Sequence, residues 1–387
     1  MRVLIDYRPA LRERTGIGEY THELVRALST SIEAPKLDLT VFSSSWKDRL
    51  EIREPGLERV RRIDRRWPVR ALNFAWHRAG WPSAESMTGL AFDVVHSITP
   101  MLIPARGAAQ VITIADLSFL TDPTWTRAEV RRDYPALVHD HARRADAIVV
   151  MSEHVGAEVR RVLDVDAKKI AVISPGAPAW TPRAAAPANG YILFVGTLEP
   201  RKNVGVLLDA YEELLTRGLS RRSPEGGGGA TQAAPALVLA GKATSAASAW
   251  LDRIARPPLA GTVRHLGYVA AADRRALYEG ASVLVVPSLD EGFGLPVLEA
   301  MTLGVPVVVS NRGSLPEVLG DAGPIVDATD PHALGAAIER VVRDRAFAAA
   351  CAANGIARSQ QYRWDRAAQQ TYALYERAIE HRRCASA

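Results

Sequence analysis

With 387 residues the chain is longer than one hydrophobic core usually serves, so two domains are expected. Its 48 % hydrophobic and 24 % charged content is that of a globular protein, and no apolar run is long enough to span a bilayer. A net charge of +5 without a recognition motif speaks against nucleic acid as a partner.

Along the first half, residues 3–5, 39–42, 94–95, 111–114, 147–151 and 170–173 are short β-branched runs without alternation. Parallel strands covered on both faces read this way. The opening run reaches Asp6 at once, so no signal peptide is expected. Helical spacing occupies 20–29 and 129–144, Ser152 caps a helix over 155–163, and Pro175 with Gly176 ends the last strand. Six arginines and one aspartate lie between Arg59 and Arg70, a local excess of +5. Such a run is either a solvated face or a contact for an anionic surface or ligand. Val69, Leu72, Trp76 and Ala79 follow at helical spacing, with Trp67 and Trp81 at either side. Residues 59–81 thus read as an amphipathic contact for an anionic membrane; the alternative is that Leu72 and Trp76 pack inward.

Residues 178–190, rich in proline and alanine and without a periodic apolar face, read as a linker. They divide a first domain, 1–177, from a second, 191–361. The second restarts the strand–helix alternation with strand runs at 191–195, 236–240, 263–266, 282–286, 305–309 and 323–326. The glycine-rich stretch 220–235 is expected to be a mobile insertion without catalytic duty. An amphipathic terminal helix within 362–387 either completes the second core or crosses back to brace both halves. The fold class is therefore α/β, with two doubly wound Rossmann-like domains and a ligand cleft at the carboxyl ends of their strands. Cys351 and Cys384 form neither a disulfide framework nor a metal motif and suit a reducing interior.

The densest chemical signal runs from Pro287 to Pro306, after a buried strand and into a helix. Gly292 and Gly294 allow close approach of a ligand, and Pro296 suits a first helical turn. Amides of Gly292, Phe293, Gly294 and Leu295 at that helix start favour phosphate. Glu291 and Glu299 bracket the turn, and a carboxylate is well suited to accept sugar hydroxyls. A second signal follows the strand at 191–195: Gly196, then Arg201 and Lys202 just before a helix, so that two cations and a positive helix end share one anion site. At the other end, Gly16 and Gly18 between the first strand and first helix read equally as a ligand loop or an ordinary turn. Asp164 and Asp166 have the spacing of a metal-binding aspartate pair but read as a solvated loop, and no metal is expected.

Together these segments resemble the family-4 glycosyltransferases, retaining enzymes of the GT-B fold that use a nucleotide-sugar donor. The resemblance is carried by Asp6 to Pro9 with Thr15 to Tyr20, by Asp116 to Phe119, by Ser152 to His154 and by Gly196 to Asn203. It continues through Gly267 to Val269, Glu291 to Glu299 and the segment from Trp364, and so covers nearly the whole chain. This version of the motifs is most similar to bacterial mannosyl- and rhamnosyltransferases that build exopolysaccharide or O-antigen repeats. The resemblance implies a GDP-mannose-like donor, no cofactor besides, and a glycan or lipid-linked acceptor. The arginine and tryptophan segment 59–81 adds the expectation of a cytoplasmic enzyme in reversible contact with the inner face of the membrane. The resemblance assigns Glu291 to hydroxyls of the transferred sugar, Arg201 and Lys202 to the diphosphate, and Glu299 to the ribose. The backbone around Tyr268 and Val269 would line the base pocket, and Gly16 and Gly18 would bring a loop over the donor phosphate. One position departs: where the family commonly has a histidine before Asp116, this chain has Ala115, and His96 reads as a structural histidine that does not replace it. An epimerase or phosphorylase sharing the fold, and a sugar-nucleotide-binding subunit without turnover, are the competing readings.

Overall fold

The computed structural model describes residues 1–11, 14, 16–50, 57–125, 128–218 and 234–386. They form two units: Met1–Gly176 with Arg363–Ala387, and Ala177–Tyr362. Most of the glycine-rich stretch 220–235 lies outside the described residues.

The first unit is built on a parallel sheet of β1 (Arg2–Asp6), β2 (Asp38–Ser44), β3 (Arg61–Arg65), β4 (Val94–Ser97), β5 (Ala109–Ile114), β6 (Ala147–Val150) and β7 (Ile170–Val172). Their spatial order is β3-β2-β1-β4-β5-β6-β7, so chain direction across the sheet reverses between β1 and β4. Val3, Leu4, Ile5, Val94, Val111 and Ile112 are wholly buried, as parallel strands covered on both faces require.

Two features of the arginine segment correct the sequence reading. Arg61–Arg65 is an edge strand, pairing with β2 from Thr40–Arg61 to Ser44–Arg65. Charge at an unpaired edge blunts further strand addition, which is why this strand carries no apolar run. In the following helix, Val69–Ala79, Leu72 and Trp76 are buried against Phe42 and Ile63. They therefore belong to the core and not to a membrane-facing stripe. Phe74, 69 % exposed, lies on the outer side.

The terminal helix Trp364–Ser386 belongs to this first unit. Tyr375 is fully buried, and its hydroxyl lies 2.7 Å from Nδ1 of His96 while Nε2 is 2.8 Å from Thr113 Oγ1. The ring of Trp364 packs 6.0 Å from that of Tyr20.

The second unit holds β8 (Tyr191–Val195), β9 (Leu237–Ala240), β10 (Val263–Gly267), β11 (Ala281–Val286), β12 (Val307–Ser310) and β13 (Ile325–Val326), in the order β10-β9-β8-β11-β12-β13. All pairs are parallel, and direction reverses between β8 and β11. Its core joins Ile192, Phe194, Leu207, Leu208 and Tyr211 with Val283, Val285 and Ile338. Residues 178–190, expected as a linker, count with this unit. The Arg183 guanidinium donates to the carbonyls of Ala281 (2.6 Å), Gly304 (3.2 Å) and Glu279 (3.3 Å), and Trp180 packs on Tyr278.

Candidate active site

In doubly wound sheets a crevice opens at the carboxyl ends of the strands where the order reverses. In the second unit the loops leaving β8 and β11 meet there. Asn203 locks the first loop: it adopts a left-handed backbone (φ 56°), and its side-chain amide donates to Pro287 O (3.0 Å) and Ala328 O (2.7 Å). Leu289 N donates to Arg201 O at 2.8 Å, so the two loops are also joined through their backbones.

This brings Arg201, Lys202 and Glu291 together. The Lys202 ammonium donates to Glu291 Oε1 at 2.5 Å, and Arg201 reaches Glu291 Oε2 at 3.4 Å, Asp290 O at 2.9 Å and Glu199 Oε1 at 3.2 Å. Ser288 Oγ adds a 2.8 Å hydrogen bond to Glu291 Oε1. Burial alone would raise the carboxyl pKa, but Lys202, Arg201 and the hydrogen bonds outweigh it and hold Glu291 down at about 2. Glu291 is thus a carboxylate across the physiological range: a hydrogen-bond acceptor with free lone pairs, and no proton donor.

The backbone of Glu291 is gripped from behind. Ser314 donates to Glu291 O through its amide (3.0 Å) and its hydroxyl (2.9 Å). Gly313, at φ +59°, comes so near that an added Cβ would lie 2.5 Å from Glu291 N. Beyond Glu291, Gly292 and Phe293 are buried, and Phe293 meets Tyr362 edge-on with centroids 5.6 Å apart. Gly294 (φ 101°) caps the helix Leu295–Thr302, with Pro296 in its first turn. Gly196 follows β8, and an added Cβ would sit 3.7 Å from the Lys202 stem.

Glu299 lies inside that helix and is 7 % exposed. It accepts from Arg274 Nη1 at 3.0 Å and from the Tyr278 hydroxyl at 2.6 Å, a separate cluster from that of Glu291. Burial, reinforced by Glu299, pushes the Tyr278 phenol well above its ordinary value and keeps it a donor. Tyr268 and Val269, both half-buried, follow β10, two strands from β8; the Lys242 ammonium lies 5.9 Å from the Tyr268 ring centre.

The two candidate loop glycines of the first unit differ. Gly16 caps the helix Ile17–Thr30 at φ 47° and has open space where a Cβ would be. Gly18 is buried within the unit, where an added Cβ would lie 2.6 Å from Pro9 O, so its small size serves a close backbone approach. Thr15 lies outside the described residues. Ala115 and Asp116 follow β5; the Asp116 carboxylate accepts from Ser118 N (3.1 Å) and Oγ (2.7 Å). Burial drives the His96 imidazole down to about 3, a neutral ring held between Tyr375 and Thr113. Asp164 ends a helix in the left-handed region (φ 49°), and Asp166 caps the next turn through Lys168 N at 2.9 Å. Among the described residues no group of three or more His, Cys, Asp or Glu side chains could hold a metal ion.

Sequence reasoning missed the residues that hold the carboxylates: Ser288, Gly313 and Ser314 for Glu291, and Arg274 and Tyr278 for Glu299. The last two sit four positions apart on the helix Ala271–Glu279, one turn of one face. Nothing in their own segment marks them, since their partner lies 25 and 21 positions away.

Residues 14–179 match Glycosyltransferase Family 4 and residues 189–344 match Glycosyl transferases group 1. The O-antigen chain mannosyltransferase B of Escherichia coli is 30 % identical, over 97 % of this chain and 100 % of that protein. Among solved structures, a sucrose-phosphate synthase from Thermosynechococcus elongatus superposes with TM-score 0.75 at 21 % identity, covering 97 % of this chain and 98 % of the other. HepE of Anabaena, solved in complex with UDP and glucose, superposes with TM-score 0.66 at 16 % identity over 96 % and 98 %. These two carry the fold, and the full-length similarity to the Escherichia coli protein carries the family. The chain belongs to the family-4 glycosyltransferases of the GT-B fold, enzymes that move a sugar from a nucleoside-diphosphate donor to an acceptor.

Proposed function

We propose that this enzyme transfers mannose, or a closely related deoxyhexose, from a guanosine-diphosphate donor to a glycan or lipid-linked acceptor with retention of anomeric configuration. The observation that carries this reading is the ionised Glu291 fixed between Lys202 and Arg201 where the loops after β8 and β11 meet. The similarity to a mannosyltransferase of O-antigen chains supports the sugar.

In this reading Glu291 accepts hydroxyls of the transferred sugar, and Arg201 and Lys202 neutralise the diphosphate with the amides of Gly292 to Leu295. Glu299, held in place by Arg274 and Tyr278, takes the ribose. Tyr268 and Val269 border the base, and Gly16 and Gly18 present the first unit's loop to the donor. The bond from the anomeric carbon to the phosphate oxygen breaks as the acceptor oxygen bonds to that carbon on the same face. The acceptor's proton passes to the departing phosphate oxygen. The protein positions and stabilises charge, and neither Glu291 nor a side chain at Ala115 moves a proton. The same reading places the enzyme at the inner face of the cytoplasmic membrane, in reversible contact through 59–81.

Two measurements test it. Guanosine diphosphate should raise the melting temperature above any other nucleoside diphosphate. NMR of the first-formed product should show the donor's anomeric configuration. A rise with uridine diphosphate alone refutes the donor, and an inverted product refutes the mechanism.

A further inference from the structure

The segment 178–190, a linker by its composition, ties together the two helices of the second unit that make the Glu299 cluster. The Arg183 guanidinium reaches the last carbonyl of the helix Ala271–Glu279, Glu279 O at 3.3 Å, and Gly304 O just past the helix Leu295–Thr302 at 3.2 Å. Its backbone amide donates to Leu303 O at 3.2 Å. Carbonyls at a helix end have no partner within the helix, and an arginine there satisfies them and meets the negative end of the dipole. Thr181 accepts from Arg275 Nη2 through its hydroxyl at 3.2 Å, so a second residue of the segment holds the first helix. Trp180, half-buried, sets its ring 6.1 Å from that of the wholly buried Tyr278.

These helices carry the two sides of one cluster: Arg274 and Tyr278 come from the first, Glu299 from the second. A donor meets each oxygen of Glu299, Arg274 Nη1 at Oε1 and the Tyr278 hydroxyl at Oε2, and together they fix the plane of the carboxylate. A hydroxyl donates well to a carboxylate oxygen only near that plane, so the tilt of the group decides how well it receives one. The Tyr278 hydroxyl stands at the far end of a ring whose position packing sets, and Trp180 is part of that packing.

We propose that Trp180 and Arg183 are positioning residues for nucleotide recognition: through Tyr278 and the spacing of the two helices they set Glu299 to receive ribose hydroxyls. It rests on the reading that Glu299 takes the ribose, and it assigns the selectivity of that site to residues that act through another side chain. A segment that only completes the core would alter stability and leave the choice among nucleotides as it was.

The test compares guanosine diphosphate with its 2′-deoxy and 3′-deoxy counterparts by calorimetric titration of the full chain. Inorganic pyrophosphate serves as the ligand without ribose. If another nucleoside diphosphate stabilises the protein instead, its own deoxy counterparts are used. Wild type should lose at least about tenfold in affinity when the recognised hydroxyl is missing, as for a hydrogen bond to a charged group. Glu299→Ala should abolish that penalty. Trp180→Ala, Arg183→Gln and Tyr278→Phe should each cut it to about threefold or less, with pyrophosphate affinity at the wild-type value. Trp180→Phe, which returns an aromatic ring to the packing, should restore it. Trp180→Leu, which fills more of the space, stands in should Trp180→Ala not fold. A penalty kept at full size in the Trp180 and Arg183 variants but lost in Glu299→Ala overturns this inference alone. So does a loss of pyrophosphate affinity in step with that of the nucleotide, which makes the segment a general support of the fold. Wild type indifferent to both hydroxyls, or Glu299→Ala with its penalty intact, overturns the ribose assignment itself.

Discussion

Lys202 Nζ and Glu291 Oε1 stand 2.5 Å apart across 89 positions of sequence, each delivered by a loop that leaves a neighbouring strand. Replacing Lys202 with alanine removes a charge-assisted donor from the proposed diphosphate site. Affinity for the nucleoside diphosphate should fall at least about tenfold, while affinity for the bare nucleoside changes little. Calorimetric titration with the two ligands checks this, and equal losses for both refute the assignment.

The depressed pKa of Glu291 makes a pH-dependent contribution to stability. Because its folded value, about 2, lies below the ordinary 4.5, the contribution is present in full above that ordinary value and disappears as pH falls toward 2. Glu291→Gln leaves the part-buried Lys202 and Arg201 without this carboxylate, although Arg201 keeps Glu199, and should cost about 3 kcal/mol at pH 7. Denaturant titrations of both proteins should show the gap narrowing below pH about 4.5. A gap independent of pH overturns the pairing.

Glu291→Gln should also depress turnover more than it alters binding of a nucleoside diphosphate, which carries no sugar. Glu299→Ala should impair both, since ribose is present in either ligand. Kinetics and titration of the two variants separate the roles, and equal patterns refute the division.

Asn203 supplies both a left-handed backbone and an amide that ties its loop to Pro287 and Ala328. Asn203→Gly keeps the first and loses the second, whereas Asn203→Ala loses both. The alanine variant should be the less stable by about 1 kcal/mol, and both should bind donor more weakly. Thermal unfolding of the pair, with donor KM, checks the order.

Gly18→Ala drives a methyl group into Pro9 O and should cost about 1–3 kcal/mol. Gly16→Ala meets no atoms and costs about 1 kcal/mol of backbone strain. If the first loop serves the donor, Gly16→Ala should lower turnover beyond what its stability explains.

The strand runs were legible because parallel strands buried on both faces need uninterrupted β-branched residues, as at 281–286. Glu291, Arg201 and Lys202 were legible because glycines and charges crowd where a strand hands over to a helix. The arginine strand was not, because an edge strand needs no apolar run. The membrane-facing stripe was misplaced for a related reason: Leu72 and Trp76 have helical spacing whichever side the helix presents, and periodicity does not say which. Gly313 and Ser314 were invisible because they act on the backbone of Glu291 and not through a motif of their own.

The place of Tyr375 against His96 has a consequence for how the molecule is made. The residues of the second unit, 177–362, are contiguous, whereas the first unit includes the terminal helix. A ribosome therefore delivers everything the second unit needs before the first can be finished. Until the last helix emerges, the sheet that was synthesised first leaves His96 without its tyrosine partner. A fragment ending at Gly176 should accordingly be less soluble than residues 177–362 alone, although it holds seven strands to the other's six.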